Sequence, residues 1–427
     1  MSEAGGTDAA SAPHGRDAVS VLRDPATIRR RCAAITQAVS EGRSPNFMLD
    51  RSRLDEVAAR VERVTRAAYP DLQIPFHSRW RHFESGGVDR KAAMDAAMAG
   101  RSAADQARAR IDLTVVSVLL DAGAGPDWRY VEADSGQTYT RSEGLGVASW
   151  HAFQQGLFSE TSSDPLRADA TALQRLDVAA LRQSFQVSSG NPLVGLEGRV
   201  ALLNRLGAAL AADHGVAGRP GALFDHLTQT SDNTASAHTV SAAQVLRAVL
   251  DAFSSIWQTG SMLQGVPLGD VWPHRWAGGE SKSAGGHGTT DDWVPFHKLS
   301  QWLSYSLLEP LMWAGVRVTG LDALTGLPEY RNGGLLLDGG VIVPRDPRLL
   351  QKRWKVSDEF IIEWRALTVS LIDELAPLVR ARLGKTADEM PLACVLEGGT
   401  WAAGREIARE LRDGSPPLAI DSDGTVF

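Results

Sequence analysis

The chain of 427 residues has very little cysteine, no excess of basic residues and no long apolar run. Its two cysteines, Cys32 and Cys394, lie too far apart in sequence to indicate a disulfide framework or a metal site. A reducing, cytoplasmic location is therefore expected. The chain has 51 acidic and 44 basic residues and a formal net charge of −7. This balance argues against general binding to nucleic acids or membrane surfaces.

Sequence motifs with a known catalytic mechanism are also missing. The chain has no P-loop, no GxGxxG after a strand, no HExxH and no GxSxG. No segment approaches the roughly 20 apolar residues that a membrane-spanning helix needs. The N-terminus lacks the apolar run of a signal peptide. We expect no bound metal, no cofactor, and no membrane or nucleic-acid partner.

Helical periodicity dominates what is present. Asp24-Pro25 is a helix-start signal and is followed by apolar residues at helical spacing. A long helix is predicted from Ser102, and its second half is apolar all round, which indicates burial. Strand signals are short and scattered, apart from a hairpin turning at Asp134. The expected fold is mainly α, with a disordered tail at residues 1–18, one helical domain at 19–427 and small β-hairpin additions.

The stretch from Trp293 to Gly340 joins the most apolar helix to the densest polar cluster. Four polar side chains interrupt the apolar pattern of the helix, namely His297, Lys298, Gln301 and Glu309. The following glycine-rich turn contains Glu329, Arg331 and Asn332. A carboxylate and a guanidinium two residues apart, flanked by glycines, suit a site where backbone approaches a ligand. They also suit a tight loop that caps its own secondary structure.

Three further polar segments are candidate sites. Arg79, Arg81 and His82 alternate with aromatic residues, a pattern that suits phosphate binding or base stacking, or else a surface loop whose aromatics plug the core. Asp121 ends the buried helix beside glycines. Burial there can raise its pKa, as at a functional site, or the residue can belong to a C-terminal turn that faces water. Arg141 and Glu143 open the next helix, and the helix dipole alone explains a glutamate there.

Several long motifs resemble a uracil-catabolism family known from fungi and bacteria. They are PFHSRWRHF, DLTVVSVLLDAGAG, RSEGL, PFHKLSQWLSYSL, LTGLPEYRNGGL, EWRALTV and the terminal SDGTVF. The family has unknown function and is often labelled a putative uracil phosphoribosyltransferase. The resemblance implies a pathway that converts uracil to its nucleotide and then opens the ring. The ribosylurea-type product must still be cut at its N-glycosidic bond.

The order of features is also distantly similar to the queuosine-salvage nucleosidases, which are helical and resemble helix-hairpin-helix DNA glycosylases. Both have a buried helix ending in a polar residue, a tyrosine-containing turn, and an apolar helix that here carries Gln301. This resemblance implies a multi-helical single domain of that architecture. Those nucleosidases have Asp-Tyr-Arg where this chain has Phe296-His297-Lys298. The catalytic carboxylate is therefore not carried over directly.

The implied reaction is hydrolysis of an N-ribosyl bond in a uracil-derived compound such as ribosylurea or its 5′-phosphate. A fixed carboxylate stabilises the cationic ribose ring of the transition state, and a second carboxylate activates water. The candidate catalytic residues are Asp121, Glu329 and Glu143. The candidate substrate-binding residues, which would meet the ribosyl or nucleotide substrate, are Arg79, Arg81, His82, Arg141, His297, Lys298, Gln301, Arg331 and Asn332.

Two other functions remain open from the sequence. One is uracil phosphoribosyltransferase, because Val395–Thr400 resembles the loop that grips a ribose phosphate, although it has one acid, Glu397, where two are usual. The other is a non-catalytic nucleotide-binding protein. For the hydrolase, we predict that the polar residues of 293–340 face Asp121 and the 77–82 segment across one cleft.

Overall fold

Helices dominate the part of the chain that the structure describes. The computed structural model describes residues 14–212, 218–229, 238–257, 261–263, 265–278 and 290–421. In chain order the helices are α1 (His14–Leu22), α2 (Pro25–Ser40), α3 (Leu54–Ala68), α4 (Trp80–Phe83), α5 (Arg90–Ala97), α6 (Ala103–Leu119), α7 (Arg141–Gln154), α8 (Ala170–Arg175), α9 (Val178–Ser184), α10 (Leu196–Ala212), α11 (Leu223–Gln229), α12 (Ala242–Phe253), α13 (Lys298–Trp313), α14 (Tyr330–Asp338), α15 (Glu359–Leu383), α16 (Leu392–Val395) and α17 (Trp401–Arg412). The predicted mainly α fold is confirmed.

The strands are short, and among the described residues they pair only in twos. The antiparallel pairs are β1 (Phe47–Leu49) with β10 (Ile342–Pro344), β2 (Arg129–Val131) with β3 (Thr138–Thr140), β5 (Ser261–Leu263) with β6 (Val266–Gly269), and β7 (Val271–Pro273) with β8 (Trp293–Pro295). The parallel pairs are β4 (Thr239–Ser241) with β9 (Arg317–Thr319) and β11 (Arg353–Lys355) with β12 (Ala419–Asp421). The hairpin predicted around Asp134 is present as β2 and β3.

The N-terminal segment differs in part from the predicted disordered tail. Helix α1 begins at His14, so residues 14–18 are helical. Residues 1–13 lie outside the described residues. The next helix begins where the sequence predicts it, because Asp24 accepts a hydrogen bond from the Ala26 amide and Pro25 occupies the first helical position.

Three buried helices, α6, α13 and α15, form the centre of the molecule. Helix α6 is buried on every side from Ile111 to Leu119, as the apolar run of its second half predicts. It packs on α13, while α15 packs on α2, α3 and α14. A single hydrophobic cluster includes side chains from all of these helices. The candidate residues are therefore carried on rigid elements or on the short segments between them.

A buried ion pair fixes the two halves of the 293–340 stretch. Both oxygens of Asp270 lie 2.7 Å from the guanidinium nitrogens of Arg365 in α15. Asp270 also accepts from the backbone amide of Lys298 at 3.0 Å, and Arg365 donates to the carbonyl of Pro328 at 3.3 Å. The pair thus anchors the start of α13 and the turn before Glu329 to one point.

Candidate functional site

Arg79 and Asp121 form a buried ion pair where two of the predicted segments meet. The Nη1 atom of Arg79 lies 2.9 Å from Oδ2 of Asp121, and the arginine side chain is fully buried. Its Nε donates to Oγ of Ser117 at 2.7 Å, and Nη1 donates to the carbonyl of Ser142 at 3.1 Å. One guanidinium therefore connects the end of α6 with the start of α7.

A second buried arginine, Arg199 of α10, holds the loop that carries Asp121. Its Nε donates to the carbonyl of Leu120 at 3.0 Å, and its Nη2 donates to the carbonyl of Ala122 at 2.8 Å. Burial lowers the pKa of Arg199 to about 10, and the charge of Asp121 opposes this shift. Because both neighbouring carbonyls are fixed, we infer that Arg199 positions the Asp121 carboxylate.

The Arg79 guanidinium also contacts His82, which lies close to Glu143. Nη1 of Arg79 lies 2.9 Å from Nδ1 of His82. An arginine has only donors, so Nδ1 accepts and the imidazole is neutral. Burial and the charge of Arg79 lower the pKa of His82 well below its ordinary value. Glu143 pairs with Arg405 at 3.2 Å. Burial acts to raise the pKa of Glu143, but the charge of Arg405 helps to keep that pKa below its ordinary value.

Two arginines approach the indole of Trp401 at the start of α17. The guanidinium carbon of Arg405 lies 4.1 Å from the centre of that ring, and that of Arg331 lies 5.5 Å from it. Arg331 also stacks over Tyr330 at 4.4 Å. Trp401 follows a π-helical turn at Leu396–Thr400, a local irregularity that is frequent at functional sites.

Glu329 and Lys298 complete the arrangement. Glu329 is the N-cap of α14, and its two oxygens accept from the amides of Arg331 at 2.7 Å and Asn332 at 2.8 Å. Burial raises the pKa of Glu329, while these hydrogen bonds and the charge of Lys298 oppose the shift. Burial lowers the pKa of Lys298, and the charges of Glu329 and Asp121 oppose it.

Contacts and electrostatic interactions link these side chains around one buried region, which we call the central charged cluster. Arg79 contacts Asp121 and His82, and Glu143 pairs with Arg405. The charges of Arg331, Glu329 and Lys298 act on one another or on Arg405 and Asp121. The members of the central charged cluster are Arg79, His82, Asp121, Glu143, Lys298, Glu329, Arg331 and Arg405. The structure therefore brings seven of the predicted site residues together with Arg405. A cluster of alternating charges on rigid helices can orient a polar ligand and stabilise charge as it develops.

Several buried polar atoms around this cluster have no hydrogen-bond partner among the described residues. They are Nη2 of Arg79, Oδ1 of Asp121, Nε and Nη1 of Arg331, Oδ1 of Asn332 and Nε of Arg405. Leaving a buried polar group unpaired costs about 1–3 kcal/mol, so a concentration of such groups needs an explanation. Both donors and acceptors are included. The arrangement therefore suits a ligand that offers anionic oxygens to the arginines and N–H or O–H groups to the carboxylate and amide.

Two residues predicted to bind substrate, His297 just before α13 and Gln301 within it, make structural contacts instead. His297, with a left-handed φ of 48°, contacts the carbonyl of Leu22 through Nε2 at 2.9 Å. Gln301 donates to the carbonyl of Phe296 and to Oγ1 of Thr325, and accepts from the Thr325 amide. Both side chains tie neighbouring segments to α13. This placement corrects the prediction that His297 and Gln301 point into the cleft.

Arg81 and Arg141 also lie outside the central charged cluster. Arg81 pairs with Glu309 at 2.8 Å and Glu84 at 3.2 Å, so its charge is compensated within the protein. The side chain of Arg141 is exposed, and its backbone has a left-handed φ of 53°. These contacts do not support the predicted role of either residue in substrate binding. Asn332 lies beside the cluster and donates from Nδ2 to the carbonyl of Leu327 at 3.1 Å.

The structure adds aromatic and polar neighbours that the candidate set omits. The ring of His77 lies 4.6 Å from that of Trp302 in α13, and its Nδ1 lies 2.8 Å from Oε2 of Glu397. Trp401 and Arg405 are four residues apart on α17, a spacing that places two side chains on one helix face. That spacing is the one signal in the sequence that points to Arg405, but it is common in helices.

Other features of the described residues bear on the alternatives. No group of three or more His, Cys, Asp or Glu side chains in this part of the chain is arranged to hold a metal ion. Nor is any helix there both long and apolar enough to cross a membrane. Both cysteines are buried and free. A cavity of about 360 Å³ lies elsewhere, lined by Arg29, Asp322, Asp373, Ala376, Arg380 and Leu392, and shares no residue with the central charged cluster.

The protein is a helical scaffold that carries a cluster of buried, partly unpaired charges. The chain belongs to the family described as "Protein of unknown function (DUF1688)", whose model matches residues 21–427. This confirms the family resemblance carried by the motifs.

Two curated relatives extend over almost the whole chain. One is "Uracil catabolism protein 4" of Lachancea kluyveri, which is 37% identical over 439 aligned residues that cover 96% of this chain and 99% of that protein. The other is "Protein urg3" of Schizosaccharomyces pombe, which is 38% identical over 419 aligned residues with the same coverage. Because the matches are end to end, the segments that form the central charged cluster lie within the region that is shared with these relatives.

Proposed function

We propose that this protein is an N-ribosyl hydrolase of uracil catabolism. Its substrate is a uracil-derived ribosyl compound such as ribosylurea, and its products are urea and the free sugar. The name of the Lachancea kluyveri relative supports the pathway. The observation that carries the reaction is Asp121, a buried carboxylate with one oxygen bound to Arg79 and the other without a partner.

In this reaction water forms a bond to the anomeric carbon as the bond from that carbon to nitrogen breaks. The ribose ring becomes cationic in the transition state, and the Asp121 carboxylate stabilises that charge in a buried setting, where electrostatic interactions are strong. The free oxygen Oδ1 accepts a proton from the attacking water. Arg79 fixes the direction of the carboxylate.

The leaving urea nitrogen takes the electron pair and requires a proton. Lys298 supplies it in our proposal, because its ammonium group has no hydrogen-bond or ion-pair partner among the described residues and lies within the fields of Asp121 and Glu329. Glu329 helps to keep Lys298 protonated, and its oxygens are occupied by the amides of α14. Glu143 holds Arg405. Of the three candidate carboxylates, Asp121 therefore fits the catalytic role best.

The phosphoribosyltransferase alternative finds less support. The Val395–Thr400 segment lies within a continuous helical run from α16 to α17 and is not a loop after a strand. In the described residues no sheet has more than two strands. The phosphate-gripping loop of such transferases needs a strand and a helix on either side. The hydrolase proposal does not depend on that loop.

The test is a substrate panel with matched aspartate variants. Purified protein is incubated with ribosylurea, ribosylurea 5′-phosphate and UMP, and released urea, uracil and sugar are measured. We expect Asp121→Asn to lower the rate by about 10²–10⁴-fold, the range for a positioned acid–base group. The matched control is Asp112→Asn. This variant also breaks the ion pair of a buried carboxylate, here with Arg219, but it does so outside the central charged cluster.

The control separates catalysis from folding. Asp112→Asn is expected to lower the unfolding midpoint while leaving the rate nearly unchanged below that midpoint. Two results would contradict the proposal. One is the absence of product from every substrate with the wild-type protein. The other is an Asp121→Asn variant that is folded and as active as the wild type.

A further inference from the structure

Arg331 is a buried cation without a counter-ion. Its side chain belongs to a residue that is only 3% exposed, and both Nε and Nη1 lack a hydrogen-bond partner among the described residues. No carboxylate in this part of the chain forms an ion pair with it. The carboxylate next to it in sequence, Glu329, directs both oxygens to backbone amides. A buried charge of this kind is costly unless it is paired.

The neighbouring charges do not balance Arg331. Within the central charged cluster Asp121 pairs with Arg79, and Glu143 pairs with Arg405. This leaves the cations Arg331 and Lys298 with the single carboxylate of Glu329. His82 is neutral, because its Nδ1 accepts from an arginine. The cluster therefore has an excess of positive charge on the side of α14.

Stacking and helix geometry do not supply the missing partner. The contacts of Arg331 with the rings of Tyr330 and Trp401 explain where the guanidinium lies. They leave Nε and Nη1 without a hydrogen-bond partner among the described residues. The N-terminal amides of α14 are also unavailable, since Glu329 already accepts from two of them. The unmet requirement is an anionic acceptor beside the guanidinium.

A second guanidinium faces the same ring. Arg405 lies 4.1 Å from the centre of Trp401, and its Nε is buried without a partner. The charge of Arg331 adds to burial in lowering the pKa of Arg405, which shows that the two guanidinium groups repel each other. Two like charges near one indole, each with a free donor, are stabilised when one anion lies between them.

We propose that Arg331 and Arg405 form a subsite for a phosphate monoester, and that the substrate of this protein is a ribosyl 5′-phosphate. The inference rests on the proposed function for the rest of the substrate, but the subsite itself does not. Phosphate offers several acceptor oxygens and about two negative charges at neutral pH. It meets the free donors of both guanidinium groups and removes the charge excess. The phosphate then anchors the ribose with its anomeric carbon toward Asp121 and Lys298.

The first test measures binding without catalysis. Inorganic phosphate, ribose 5-phosphate and ribose are titrated into the wild type, Arg331→Met and Arg331→Lys by calorimetry. We expect ribose 5-phosphate and phosphate to bind the wild type and ribose not to bind. Arg331→Met should weaken ribose 5-phosphate binding by at least about 10-fold, the value of one charge-assisted hydrogen bond. The control is Arg348→Met, which changes an exposed arginine paired with Asp346.

Folding is not expected to limit this test, because Arg331→Met removes an uncompensated buried charge. If that variant fails to fold, Arg331→Lys keeps the charge but loses the fork of donors, and it should still bind ribose 5-phosphate more weakly than the wild type. Binding that is equal in the wild type and Arg331→Lys overturns the proposal in that case. Absence of phosphate and ribose 5-phosphate binding to the wild type overturns it directly.

The second test compares hydrolysis of ribosylurea 5′-phosphate with that of ribosylurea. We expect the wild type to prefer the phosphorylated compound by at least about 100-fold in kcat/KM, because at least two charge-assisted hydrogen bonds depend on the phosphate. Arg331→Met should lose most of that preference. Equal use of both compounds refutes the subsite and leaves the hydrolase proposal standing. Binding of ribose 5-phosphate that needs Arg331, with no hydrolysis of either compound, supports the subsite and refutes the reaction.

Discussion

Gly404 allows α17 to approach α14, and replacing it tests how closely the two helices must pack. A Cβ atom built at this position would overlap the carbonyl oxygen of Arg331 and lie 2.8 Å from its carbonyl carbon and 3.2 Å from its Cα. All three atoms belong to the backbone of α14, so no side chain can rotate away. In Gly404→Ala the helices must therefore separate.

The magnitude follows from comparing two glycines that both lie in helices. Overpacking a close contact costs about 1–3 kcal/mol. Alanine in place of glycine stabilises a helix by about 0.8–1.0 kcal/mol. Gly198 in α10 has no atom within 4 Å of its hypothetical Cβ, so Gly198→Ala reports only the helix preference. The difference in free energy of unfolding between the two variants is therefore expected to be about 1–3 kcal/mol, with Gly404→Ala the less stable.

The assay is urea unfolding of both variants, with the slope checked for two-state behaviour. The same shift moves Trp401 and Arg405 away from Arg331, so Gly404→Ala should also bind ribose 5-phosphate more weakly than Gly198→Ala. Equal unfolding free energies for the two variants would refute the close packing of α14 and α17. Such a result would also weaken the case for the phosphate subsite, because the subsite needs both helices.

Three further predictions concern other buried charges. Arg365→Met should lower the free energy of unfolding by about 3–5 kcal/mol, because Asp270 is left buried and unpaired; in a double-mutant cycle with Asp270→Asn, strictly additive losses would contradict this. The pKa of His82 is lower in the folded than in the unfolded protein, so as pH falls the unfolded state takes up this proton at a higher pH than the folded state. The free energy of unfolding should therefore decrease below about pH 6.5, by at most about 1.4 kcal/mol per pH unit. His82→Gln should flatten that dependence in urea titrations, and an unchanged slope would show that another group is responsible. If Lys298 donates the proton, the hydrolysis rate should fall as pH rises through its lowered pKa. Lys298→Arg should move this alkaline fall in rate to higher pH or remove it. An active Lys298→Arg variant whose rate falls at the same pH as the wild type would exclude this role.

The fold was largely predictable because its signals are local. The cap at Asp24-Pro25, the all-round apolar half of α6 and the hairpin at Asp134 each depend on residues close in sequence. The exact start of α13 at Lys298 is not predictable in this way, since an apolar pattern does not reveal that His297 has a left-handed backbone. Local patterns define where helices form better than where they end.

The site was predictable only in part, because its contacts join distant segments. The sequence identifies Asp121, Arg79 and Arg331 as polar residues in unusual surroundings, and the structure brings them together. It does not indicate that Glu143 pairs with Arg405, which is 262 residues away. Nor does it decide between ligand binding and helix capping for Glu329, because glutamate is not among the preferred N-cap residues. His297 is turned toward Leu22, a contact across 275 residues that no local pattern encodes.

The central charged cluster draws on residues from position 79 to position 405, and this has a consequence for the newly made chain. Domains fold progressively as the N-terminal part emerges during synthesis. A nascent chain that has not yet reached α17 contains Glu143 and Arg331 but lacks Arg405 and Trp401, so the arrangement around Arg331 is incomplete. A chain stopped before residue 401 would likewise contain Asp121 and Arg79 but lack Trp401 and Arg405. The site is therefore complete only after α17 has been synthesised.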